Sequence, residues 1–105
     1  MEFQTVINRA IHIRKHYEKK EKSLYGSSWT NKEIALGFVG DVGDLAKLII
    51  AENGKRDIPN SKKKLEHELS DCLWSIIVLA NEHQIDLEKS FIRTMDEIEK
   101  QVLDK

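Results

Sequence analysis

The sequence predicts an all-α protein, four helices in a bundle-like arrangement. Only one proline and five glycines interrupt the 105 residues. β-branched alternation is scarce, and apolar residues recur at three- and four-residue intervals instead. The stretches carrying this periodicity are separated by short polar segments, the connectivity of a helical bundle.

A first helix, about residues 2 to 22, lays Phe3, Val6, Ile7, Ala10, Ile11 and Ile13 on one broad face and ends in the charged run Glu18 to Lys22, which reads as solvated surface. Ser23 to Trp29, with Gly26 and its serines, reads as a loop. Thr30 followed by Glu33 makes a capping box, in which each side chain satisfies the other's free backbone N–H. A second helix therefore starts near Asn31 and carries Ile34, Phe38, Val42, Leu45, Leu48 and Ile49 until Asn53 to Asn60 stops it. The third, from about Ser61 to His83, carries Leu65, Leu69, Cys72, Leu73, Ile76, Ile77 and Leu79. Asp86 caps a fourth bearing Leu87, Phe91, Ile92, Met95, Ile98 and Val102. No repeat or linker divides the chain, so a single domain is expected over residues 1–105.

Charged residues make up 33% of the chain but the net charge is only −1. A dedicated nucleic-acid binder usually shows a basic excess, so no nucleic-acid partner is expected. Cys72 is the sole cysteine, which excludes an intramolecular disulfide, and its apolar neighbours predict a buried thiol. The N-terminus lacks a signal-peptide pattern, and the longest apolar run, Ile76 to Ala80, is far too short for a bilayer. A cytoplasmic chain with no membrane partner is expected. A domain this small buries a modest core, which favours pockets built between subunits.

Acidic residues fall where apolar ones are expected. Asp41 and Asp44 share one side of the second helix beside Phe38, Val42, Leu45 and Leu48. Glu68 and Asp71 repeat the arrangement on the third, against Leu65, Leu69, Cys72 and Trp74. Two antiparallel helices would present these four carboxylates to one another. At an effective dielectric near 20, two like charges ~4 Å apart cost about 4 kcal/mol. A divalent cation removes that cost, and an all-oxygen ligand set suits Mg²⁺ or Mn²⁺ before Zn²⁺. Magnesium commonly shares its sphere with substrate phosphates, which points to a phosphate-handling site. The competing reading makes these acids ordinary surface residues.

Gly37, Gly40 and Gly43 recur at three-residue intervals in the same helix, each costing ~1 kcal/mol against alanine. A close approach of a second subunit's helix, or of substrate, is expected on that face. His12 and His16 lie one turn apart, as zinc ligands would, but no third ligand accompanies them. Lys62-Lys63-Lys64 reads as a solvated face, while Lys55 and Arg56 lie where a loop could close over phosphates.

The segments Gly40-Asp41-Val42-Gly43-Asp44-Leu45-Ala46, Leu65-Glu66-His67-Glu68-Leu69-Ser70-Asp71 and Ile85-Asp86-Leu87 resemble, in order and spacing, those of the MazG-like superfamily of all-α NTP pyrophosphohydrolases, over roughly residues 30 to 100. The resemblance implies Mg²⁺-dependent hydrolysis of a nucleoside triphosphate, often a deoxynucleotide or a non-canonical one, to monophosphate and pyrophosphate. It also implies assembly as a dimer or dimer of dimers and a nucleotide-pool house-cleaning role. Asp41, Asp44, Glu68 and Asp71 would hold metal, with Asp41, Asp44 and Glu68 the catalytic set. His16, Tyr25 and Trp29 fall near the base pocket. Lys47, one turn after Asp44, is placed to reach a phosphate, and Arg93 and Asp96 on the last helix complete the expected substrate contacts.

The chain departs from the family pattern in three ways. Aspartates replace glutamates in the first motif; Thr94 and Ile98 stand where relatives resembling dCTP pyrophosphatase carry lysine and asparagine; Ser75 replaces an aromatic. They motivate an alternative, a regulatory module of the same fold that binds metal or nucleotide with little or no turnover.

Overall fold

The computed structural model describes residues 2–103 and contains α1 (Phe3–Tyr25), α2 (Asn31–Glu52), α3 (Ser61–Glu82) and α4 (Leu87–Leu103). Among the described residues there is no strand. The chain ends, residue 1 and residues 104–105, lie outside the described residues.

Helix boundaries follow local backbone chemistry. α1 runs three residues past its expected end. Ser23 to Tyr25 complete a turn that Gly26 closes at φ +83°, donating its N–H to Lys22 O at 3.0 Å. The capping box of α2 forms: Glu33 N donates to Thr30 Oγ1 at 3.3 Å and Thr30 N to Glu33 Oε1 at 3.1 Å. Gly54, at φ +75°, ends α2 in a Schellman turn that brings Lys55 N to Ile50 O at 3.1 Å. Gln84 takes the same left-handed position after α3, with Ile85 N to Ala80 O at 2.9 Å. Asp86 caps α4 as expected, its Oδ1 accepting from Lys89 N at 3.1 Å.

α3 is the central helix. It packs most extensively on α2, also on α1, and lightly on α4. Among the described residues the buried apolar ones are Ile7, Ile34, Leu48, Cys72, Ile77, Val78 and Ala80, four of these seven being on α3. Trp74 Nε1 donates to Ala10 O at 3.0 Å and its ring tilts against Tyr17, so it fastens α3 to α1.

The four helices do not close a bundle within one chain. α4 buries no residue, although its sequence is strongly amphipathic. Phe91, Ile92, Met95, Ile98 and Val102 are all exposed. The radius of gyration is 16.8 Å, against about 13 Å for a compact domain of this length. No helix is long and apolar enough to cross a membrane, among the described residues.

Candidate metal centre and its flanking cavities

The carboxylates converge where α2 and α3 run side by side. Asp41, Asp44 and Glu68 each bring one carboxylate oxygen within 4.8 Å of the others. Asp41 and Glu68 are half-buried and Asp44 is exposed. Glu68 Oε2 is buried with no hydrogen-bond partner, a costly state for a carboxylate oxygen. Burial pushes the Glu68 carboxyl above its ordinary range, and the charges of Asp41, Asp71 and Asp44 push it the same way.

Among the described residues, no lysine or arginine forms an ion pair with Asp41, Asp44 or Glu68. An acidic cluster with an orphaned oxygen and no basic partner fits a hard divalent cation. Asp71 stands apart from this triad and pairs with His67 Nε2 at 3.2 Å.

Two cavities flank the cluster along the helix pair. One, of about 250 Å³, is lined by Arg14, Trp29, Phe38, Asp41, Asp71 and Trp74 among others. The other, of about 510 Å³, is lined on α2 by Asp44 and Lys47 and on α3 by Lys63, Lys64, His67 and Glu68. One end of the site is therefore aromatic and the other cationic. Lys63 and Lys64 are exposed, as the solvated-face reading expects, and also line this cavity.

Trp29 is positioned by a pair that sequence inspection passed over. Arg14 donates to Glu21 through Nη1 at 2.8 Å and Nη2 at 3.1 Å. Glu21 Oε1 accepts from Trp29 N at 2.8 Å, and Arg14 Nη2 reaches Trp29 O at 3.4 Å. The Arg14 guanidinium holds the Glu21 carboxyl below its ordinary range against the opposing effect of burial. Glu21 is therefore half-buried structure, not part of a wholly solvated charged run. Its spacing of two helical turns from Arg14 is the signal that could have found it.

Of the other expected contacts, Lys47 lines the larger cavity and Trp29 the smaller. His16 is exposed, its Nε2 3.3 Å from His12 Nε2, and Tyr25 is exposed at the end of α1. Arg93 and Asp96 sit on exposed α4 and line neither cavity; Lys55 and Arg56 line neither as well. Trp29 Cζ3 lies 3.5 Å from where a Gly37 Cβ would stand, but among the described residues nothing comes within 4 Å of a Cβ at Gly40 or Gly43. Cys72 is buried as expected, and desolvation followed by the charges of Asp41, Glu68 and Asp71 pushes its thiol up.

A family model described as the MazG nucleotide pyrophosphohydrolase domain matches residues 30–102, well over half of the chain. The match covers α2 and α3 and takes in all four acidic positions. No curated protein matches the chain.

Proposed function

The chain belongs to the MazG nucleotide pyrophosphohydrolase family, and from that membership we propose that it hydrolyses a nucleoside triphosphate, deoxy or non-canonical, to monophosphate and pyrophosphate in nucleotide-pool house-cleaning. The observation that carries the reading is the acidic cluster with its orphaned Glu68 oxygen. Asp41, Asp44 and Glu68 would hold Mg²⁺ or Mn²⁺, and Asp71, one turn further along α3, would be the fourth ligand on release from His67. A bound divalent cation supplies charge neutralisation of the phosphates and activation of water.

The remaining work belongs to the chain. Asp41 or Asp44 orients the water that attacks the α-phosphorus and accepts its proton, and positioning of the phosphate chain supplies most of the rest. Trp29, held by Arg14 and Glu21, offers a face on which a base stacks, and the exposed His16 and Tyr25 are further candidate contacts to the nucleotide. The exposed apolar face of α4 and the open Gly40 and Gly43 support assembly as a dimer or dimer of dimers. Such assembly is the route by which Arg93 and Asp96 reach a nucleotide.

The test is pyrophosphate release from a broad panel of canonical and modified nucleotides with Mg²⁺ or Mn²⁺. Folded protein that releases none contradicts hydrolysis. One observation favours a second reading, the binding module without turnover: Thr94 Oγ1 donates to Ser90 O at 2.8 Å, turned onto its own helix rather than outward. Tight nucleotide binding without pyrophosphate release selects that reading.

A further inference from the structure

The cavity of about 510 Å³ beside the acidic cluster is cationic for a reason that helix stability does not supply. Lys64 and Glu68 have the i,i+4 spacing of an ion pair, and Lys47 follows Asp44 by one turn. Neither lysine closes such a pair, nor does Lys63, among the described residues. All three line the cavity beside Asp44 and Glu68 without closing an ion pair to either carboxylate, among the described residues. The cavity sits at the start of α3, where Asn60 provides no side-chain cap, so the first-turn N–H groups add positive potential there. Its size falls within the range of small-molecule sites. The opposite end of the cluster is lined by Trp29, Phe38 and Trp74, and its one cation, Arg14, is already engaged by Glu21, so that surface suits a base better than a phosphate.

We infer that Lys47, Lys63 and Lys64 form the subsite for the two terminal phosphates, so that the nucleotide lies along the α2–α3 groove with its base at Trp29 and its pyrophosphate end at the start of α3. This assignment rests on the pyrophosphohydrolase reading and fixes the polarity of the substrate within it. The phosphate chain then crosses the acidic cluster, with the scissile α–β linkage between the two cavities. The lysines act by binding and orienting; no bond to them forms or breaks. They favour substrates with two phosphates beyond the α-phosphorus over mono- and diphosphates.

The probe is inorganic pyrophosphate with Mg²⁺, titrated calorimetrically into wild type, the double variant Lys63→Gln with Lys64→Gln, and Lys62→Gln. All three lysines of this run are exposed, and Lys62 does not line the cavity, so it serves as the control. Pyrophosphate is expected to bind the double variant about tenfold or more weakly, as loss of charge-assisted contacts requires, and the Lys62 control like wild type. Equal binding by all three, or no binding by wild type, overturns the assignment. Failure of the enzyme reading is separately visible. Lysine-dependent pyrophosphate binding without triphosphate hydrolysis leaves the subsite standing and removes the activity; hydrolysis indifferent to the lysines removes the subsite alone.

Discussion

Arg14 and Glu21, two turns apart on α1, close a two-pronged hydrogen bond at 2.8 Å and 3.1 Å, and together grip both backbone polar groups of Trp29. The rear half of α1 thereby sets where the α1–α2 connection places its indole, over Gly37 of α2. With about one seventh of either side chain left accessible (12% and 14%), the pair is shielded enough to matter energetically.

Glu21→Gln is therefore expected to cost about 1–3 kcal/mol, because a charged acceptor shared by a guanidinium and a backbone N–H becomes a poorer, neutral one. Urea denaturation measures it. The carboxyl's folded pKa is lowered, so its contribution is complete above the ordinary carboxylate range and fades as pH falls through the folded value. The difference between wild type and variant should shrink in acid.

Glu68 has the opposite sign. Its folded pKa is raised, so it favours the fold when protonated and loses that contribution as pH rises through the folded value. Without divalent metal, Glu68→Gln should raise Tm near neutral pH, with the gain vanishing below about pH 4, where both side chains are neutral. Adding Mg²⁺ should raise the wild-type Tm and leave that of the variant nearly unchanged.

The apolar face of α4 predicts self-association. Tm is expected to rise with protein concentration, as it does when the folded state is stabilised by a second copy. Phe91→Asp, 53% exposed in one chain, should remove most of that dependence and lower the sedimenting mass. A concentration-independent Tm for wild type contradicts the assembly.

Cys72 is buried and its thiol is raised above the ordinary range, chiefly by desolvation. The thiolate is the reactive form, so native protein should react far more slowly with a disulfide reagent at mildly alkaline pH than protein in urea. Equal rates in the two states contradict the packing of α3 against α2.

Helix starts and stops were legible because their signals are local: the Thr30–Glu33 box and the Asp86 cap depend on three or four neighbouring residues. The end of α1 was misplaced because Ser23 to Tyr25 have weak preferences and Gly26, just beyond them, decides. The acids of the site were legible because carboxylates beside an apolar stripe are anomalous within a single helix. Arg14 with Glu21 was not, since Glu21 is embedded in a run of charges and its role appears only when Trp29 folds back on it. Lys63 and Lys64 are solvated, as their sequence suggests; that they share a cavity with Lys47 and Asp44 depends on how α2 packs against α3, which no single helix reveals. The bundle was expected from four amphipathic helices with short connections, a pattern that states that the α4 face must be covered and not by which chain.

The most direct test compares wild type with Glu68→Ala, both shown to be folded, for pyrophosphate release from nucleoside triphosphates with and without Mg²⁺. Metal-dependent release by wild type that Glu68→Ala abolishes is expected, because the triad loses the carboxylate with the orphaned buried oxygen. Release that is undiminished in Glu68→Ala would show that this acidic cluster is not the catalytic metal site.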